Sequence, residues 1–244
     1  MQDIFKMLSV VLITFFSTIA TSQDYKTYQI DHEIQLVEPT NGQSYDEVFK
    51  EIKSKTLKLQ KINEDIVGYV YKHGYFEQPV AINKGRGFDY YLLKDLNHNY
   101  HPRGTPFLSD NSLNSFQGNS LLYGHNSQYD VLFSRIPLLK DQELFENAPP
   151  LIIYDAILDE FKIMKLFTFI HIVDGQEYIQ LKDMTEEERV RYNEKLWERS
   201  IPKIDKPDLE GKDVFFIQTC TTPSLTSPDR DVVGYYLLET IPGL

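Results

Sequence analysis

Only one cysteine occurs in the 244 residues. A lone thiol cannot close an intramolecular disulfide, so a disulfide-stapled scaffold is excluded, although an extracellular address is not. Positive charge is also scarce: 25 Lys and Arg stand against 36 Asp and Glu, a formal net charge of −11. Such a surface repels a phosphate backbone and offers no basic stripe for one to follow, so nucleic acid is not expected as a partner. Internal repeats, low-complexity tracts and a linker long enough to divide the chain are missing as well. With 41% hydrophobic residues, the remaining picture is one globular domain of ordinary size with a full core.

The exception to this even texture is the N-terminus. The apolar stretch Leu8 to Ala20 lies between Met1-Gln-Asp-Ile-Phe-Lys-Met7 and Thr21-Ser-Gln-Asp24, the layout of an export signal or short anchor. A membrane span takes about 20 apolar residues, and Ile4 to Ala20 falls somewhat short, so a cleaved signal peptide and a retained signal-anchor both stay open. Residues 1–23 are therefore set apart, 24–43 reads as an extracellular linker, and the folded domain runs over 44–244.

Ser44-Tyr-Asp-Glu47 has the form of a capping box, and Val48, Ile52, Leu59 and Ile62 follow on one helical face, which predicts an amphipathic helix from about Ser44 to Leu59. Short β-rich runs bounded by turn residues then follow: Ile66 to Tyr71, Pro79 to Ile82, Ser120 to Tyr123, Leu151 to Tyr154, Phe161 to Ile172, Val214 to Thr219 and Val232 to Glu239. Their spacing predicts a mostly antiparallel barrel or sandwich. One helix interrupts them, starting at the capping box Thr185-Glu-Glu-Glu188 with Val190, Trp197 and Ile201 as the expected buried stripe.

The residues able to carry chemistry are few. Cys220 ends the apolar run Asp213-Val-Phe-Phe-Ile-Gln-Thr-Cys220 and precedes the turn-rich Thr221-Thr-Pro-Ser-Leu-Thr-Ser-Pro-Asp229, so it belongs at a strand end beside a loop, where reactive groups are exposed. Taken alone, a single cysteine is more often a small buried hydrophobe. A cysteine nucleophile needs a proton-handling partner near neutral pH, and His125 in Leu121-Leu-Tyr-Gly-His-Asn126 has the most suggestive setting of the six histidines. His98 and His101 imitate a metal pair, but no further ligand completes the set, and Pro102 forbids a regular helix there. They read as loop residues, and no metal is expected. His32, His73 and His171 show no partner in the sequence. Arg230 opens the last predicted strand after the Pro228-Asp229 turn, placed to reach back over Cys220.

Together, Tyr123-Gly-His-Asn126, Thr219-Cys220-Thr221 and Arg230-Asp-Val-Val233, ten residues after the cysteine, resemble the signature of sortases, most closely class B. Asn63-Glu-Asp-Ile-Val-Gly68, Pro79-Val80, Tyr90-Tyr-Leu92 and Gly104-Thr-Pro-Phe107 fall in the order that the family shows upstream of its histidine, so the resemblance covers roughly Ile62 to Ile241. The helix over Thr185 to Arg199 and the N-terminal amphipathic helix favour class B over class A. Thr222 and Gln218 depart from the family pattern, at places where some members carry an acidic and a small polar residue.

The resemblance implies a mostly β fold with added helices: a sortase-type closed β-barrel forming a catalytic domain over 44–244. It implies a cysteine transpeptidase in which Cys220 attacks a threonine carbonyl, His125 serves as acid and base, and Arg230 stabilises the oxyanion. Arg230 and a protonated His125 are both expected to lower the thiol pKa. Thr219, Thr221, Tyr123 and Asn126 would contact substrate. The implied partners are secreted proteins with a C-terminal sorting motif, a peptidoglycan precursor amine and the cell membrane, at whose extracellular face the N-terminus would hold the enzyme. No cofactor is implied. A pilin-polymerising enzyme and a noncatalytic β-barrel binding module remain as alternatives. A papain-like hydrolase is opposed by the order of histidine before cysteine and by the strand context of Cys220.

Overall fold

The computed structural model describes residues 45–110, 116–127, 131–223 and 228–243. The expected leader (1–23), the linker (24–43) and the Ser44 cap lie outside them. Among the described residues, no helix is long and apolar enough to cross a membrane.

Eight strands close into a barrel in the order β1-β2-β3-β4-β7-β8-β6-β5. They are β1 (Ile66–Lys72), β2 (Phe76–Ala81), β3 (Phe107–Leu108), β4 (Asn119–Tyr123), β5 (Leu151–Asp155), β6 (Glu160–Val173), β7 (Val214–Cys220) and β8 (Asp229–Pro242). Pairing is antiparallel except for β2 with β3 and β4 with β7. Closure leaves no edge strand among the described residues and fills the interior with alternate residues of the strands, among them Val70, Val80, Leu122, Phe169, Phe215, Ile217, Val233 and Tyr235.

The outward-facing residues are covered in turn by helices. α1 (Tyr45–Gln60) lays Val48, Phe49 and Ile52 over Tyr69, Tyr71, Tyr154 and Phe161, with the Phe49 and Phe161 rings stacked 4.5 Å apart. Phe49 and Thr56 complete its buried face, whereas Ile62, expected there, lies past the helix end and is 54% exposed. Beyond the short α2 (Gln142–Glu146), α3 (Glu186–Glu198) starts at the expected capping box, with the Thr185 hydroxyl accepting from Glu188 N and the Glu188 carboxylate from Thr185 N.

The buried stripe of α3 differs from the expected one. Asn193 and Leu196 are enclosed, Trp197 is half-buried against the same cluster, Val190 is half-buried, and Ile201 is exposed. Asn193 is a polar residue that hydrophobic periodicity skips; its amide exchanges 3.0 Å hydrogen bonds with that of Asn119, docking α3 at the start of β4. Thr168 Oγ1 adds a 2.7 Å bond to Leu196 O.

Candidate active site

The site is assembled where β4, β7 and β8 end or begin side by side. Cys220 is the last residue of β7 and faces Arg230 in the β7–β8 register, as Ile217 faces Val233 deeper in the ladder. Alternation turns Ile217 and Val233 into the barrel and puts Cys220 and Arg230 on the outer face with Phe216 and Val232, the face that α3 covers further down. Cys220 is half-buried.

β4 runs parallel to β7 with Tyr123 opposite Gln218, and Gly124 N extends the ladder by a 3.2 Å bond to Gln218 O. His125 is thereby delivered beside the end of the cysteine strand. A Cβ at Gly124 would come within 2.3 Å of Cε2 of the fully buried Phe133, so the turn into His125 admits no side chain. Beyond the histidine, Asn126 Nδ2 donates to Cys220 O at 3.0 Å and to Thr221 O at 3.4 Å, tying the two loops together.

The ring of His125 is oriented by backbone. Its Nε2 lies 2.8 Å from the carbonyl oxygen of Leu92, and because a carbonyl only accepts, Nε2 carries the hydrogen and the neutral ring keeps its lone pair on Nδ1. Leu92 sits in a 3-10 turn (Tyr90–Leu93) anchored by its neighbour Tyr91, whose hydroxyl donates to Asp65 at 2.5 Å and accepts from Asn63 at 2.8 Å. Burial pulls the His125 pKa below its ordinary 6.5, against the pull of the Leu92 bond and in the same direction as the Arg230 charge.

Arg230 Nη2 donates to Asp174 Oδ2 at 3.0 Å and Nη1 to the carbonyl of Asp229 at 3.1 Å. Its charge acts on both Cys220 and His125. The expected direction of the thiol pKa is corrected here. Burial pushes the Cys220 thiol above its ordinary 9.0; Arg230 draws it down as expected, but Asp174 and Asp231 push it up again. The predominant forms at neutral pH are therefore a thiol and a neutral imidazole.

The remaining expected residues separate by face. Tyr123 is half-buried on the outer face and hydrogen-bonds the Ser109 side chain. Thr219 is 2% exposed and turned into the barrel, away from Cys220. Thr221 donates through its backbone N–H to Asp229 O at 3.1 Å and through its hydroxyl to Asp231 at 3.0 Å, so that N–H is not available to a reacting carbonyl. The Leu92 carbonyl, Asp174, Asp231 and His171 are the neighbours that sequence reasoning did not find. Asp174 and Asp231 left one legible trace, being acidic residues at the ends of predicted strands. Backbone carbonyls leave none. His98, in a loop as expected, hydrogen-bonds Tyr90 OH at 3.1 Å, and among the described residues no group of three or more His, Cys, Asp or Glu is arranged to hold a metal ion.

No family model matches the sequence, and no curated protein matches it. Solved structures do. Sortase B of Staphylococcus aureus in complex with substrate superposes with a TM-score of 0.66 at 18% identity, covering 80% of this chain and 93% of that one. The fold is that of class B sortases. A mutant form of Clostridium perfringens sortase B gives a TM-score of 0.68 at 21% identity over 84% of this chain and 93% of that one. A Bacillus anthracis protein similar to sortase B gives 0.66 at 24% identity over 75% and 82%. The sortase-type closed barrel, with an amphipathic helix before it and a helix ahead of the cysteine strand, is thus present as the motifs implied.

Proposed function

We propose that this chain is a class B sortase-like cysteine transpeptidase. It cleaves a C-terminal sorting motif after threonine through a thioacyl-enzyme and passes the acyl group to a peptidoglycan amine. The observation that carries the reading is the convergence of Cys220, Arg230 and His125 at adjoining ends of three neighbouring strands of a class B sortase fold. A lone cysteine kept only for packing has no need of such partners.

In this scheme the Cys220 thiolate attacks the threonine carbonyl carbon, and the C=O electron pair moves onto oxygen. Arg230 supplies fixed positive charge to that oxyanion. Collapse of the intermediate breaks the C–N bond, with the His125 imidazolium protonating the leaving amine. The neutral imidazole then takes a proton from the incoming amine, which attacks the thioester and releases Cys220 as thiolate. With the thiol pKa above that of the imidazole, the thiolate–imidazolium pair is a minor population, roughly constant between the two pKa values. Thr221 N–H is committed to Asp229, so the charge of Arg230 is the main contribution to the oxyanion in this scheme.

The segment Leu8 to Ala20 is the proposed means of holding the enzyme at the extracellular face of the cell membrane, where exported substrates and wall precursors meet. The test is to incubate the full-length protein with Asn-Pro-x-Thr, Ser-Pro-x-Thr and Leu-Pro-x-Thr peptides and hydroxylamine, and to seek threonine hydroxamates by mass spectrometry beside Cys220→Ala. A hydroxamate made only with the cysteine present is the expected result. No product from any peptide, together with a thiol that resists alkylation, would return the chain to a noncatalytic binding module.

A further inference from the structure

Behind the nucleophile, on the inner side of the barrel mouth, lies a polar cluster that the reaction scheme does not use. Thr219 and Asp231 are direct partners across β7 and β8, each 2% exposed, and point to the side of Ile217 and Val233. Asp231 Oδ1 accepts from Thr221 Oγ1 at 3.0 Å and pairs with His171 Nδ1 at 3.2 Å. His171 stands opposite Asp231 on β6, and its Nε2 faces the Asp229 carboxylate at 3.4 Å. One carboxylate oxygen is thus shared between a side chain next to the nucleophile and a side chain on another strand.

The second oxygen, Oδ2, is buried and has no hydrogen-bond partner among the described residues, and the same holds for Thr219 Oγ1. Buried orphan oxygens are uncommon, and a carboxylate with one unpartnered buried oxygen costs stability, so its retention calls for an explanation. Its position is distinctive: Asp231 touches Thr221 by hydrogen bond and Thr219 by register, the residues on either side of Cys220, and precedes Val232 immediately after Arg230.

We propose that Asp231, held by His171, is a positioning residue for Cys220, clamping the Thr219–Thr221 segment from inside the barrel while the chemistry occurs on the outer face. This rests on the transpeptidase reading only for its kinetic consequence. The charged and titratable groups around the clamp are Asp229 and Arg230 on β8, His171 on β6, Asp174 just beyond β6, and His125 beyond β4. The Asp231 charge also pushes the thiol pKa up, so its removal has a readable electrostatic signature.

The experiment compares full-length wild type, Asp231→Asn and Asp231→Ala by the pH dependence of iodoacetamide alkylation of Cys220 and by kcat and KM in the hydroxamate assay. Both variants should move the alkylation midpoint to lower pH. Asp231→Ala should lower kcat about tenfold, the scale of one lost buried hydrogen bond, with KM within about twofold. Asp231→Asn keeps an acceptor for Thr221 and should recover most of that loss. Wild-type kcat in Asp231→Ala, or Asp231→Asn as impaired as Asp231→Ala, would overturn the clamp. If Asp231→Ala does not fold, Thr221→Val, which removes the hydroxyl donor and leaves the Asp231 charge, decides in its place: kcat should fall by a similar factor, and wild-type kcat would overturn the clamp. A wild type that alkylates normally but forms no hydroxamate would sink the transpeptidase reading and leave the clamp to the limiting alkylation rate well above the midpoint, which Asp231→Ala should change and Asp231→Asn should not.

Discussion

His125 Nε2 and the carbonyl oxygen of Leu92 lie 2.8 Å apart, so the orientation of the proposed acid/base is set by a backbone atom 33 residues earlier in the chain. Side-chain substitution at Leu92 leaves that carbonyl in place, but a change that shifts the turn does not.

Gly104 provides that change. It has φ +57°, and a Cβ there would lie 2.3 Å from Leu92 O and 2.4 Å from Tyr91 O. Gly104→Ala meets both a left-handed backbone cost and a backbone clash, so a loss of at least about 2 kcal/mol in stability is expected, with a fall in kcat/KM from the displaced carbonyl. Thermal unfolding and the hydroxamate assay check this. A variant with unchanged melting and unchanged activity would remove the Leu92 carbonyl from the account.

The pH profile follows from the two shifts. A thiolate–imidazolium active form with the Cys220 pKa above 9.0 and the His125 pKa below 6.5 gives a kcat/KM that rises with pH up to the imidazole pKa, stays flat, and falls beyond the thiol pKa. A broad plateau across neutral pH is expected. A sharp bell centred near pH 7 would mean that the two pKa values lie close together.

Asp174 pairs with Arg230 and pushes the Cys220 pKa up. Asp174→Asn removes that negative charge, so alkylation of Cys220 should quicken at pH 7 and its midpoint should move down. Slower alkylation would show that Asp174 serves mainly to place the guanidinium.

Lys72 tests the core and not the site. It is 1% exposed inside the barrel, donates to Pro149 O, and lies over the rings of Tyr75 and Tyr235 at 5.4 and 5.1 Å. Burial lowers its pKa from 10.5 to about 7. Between those values the unfolded chain binds the extra proton, so stability rises with pH across the window and the penalty is complete below pH 7. Lys72→Met should flatten that rise, which amounts to about 1.4 kcal/mol per pH unit for one group. Urea unfolding at pH 6, 8 and 10 measures it; equal slopes in both proteins would contradict the burial argument.

The sequence by itself determined the barrel's long strands, because β-rich runs such as Phe161 to Ile172 are bounded by turn residues, and both longer helices, because a capping box and periodicity are local signals. It also picked out Cys220, His125 and Arg230, since each sits at a punctuated strand end, and their motifs pointed to the fold. β3 was out of reach, since two residues show no period. So was the exact buried face of α3, where the Asn193–Asn119 pair spans 74 residues.

What only the tertiary structure decided is everything that depends on which strands become neighbours. Closure of the barrel set Cys220 opposite Arg230, carried β4 parallel to β7 so that His125 arrives alongside, and brought Asp174 to Arg230 and His171 to Asp231. The thiol pKa is fixed at that level too. Desolvation and the balance among Arg230, Asp174 and Asp231 depend on distance through a partly buried medium, and linear order along a chain does not encode those distances.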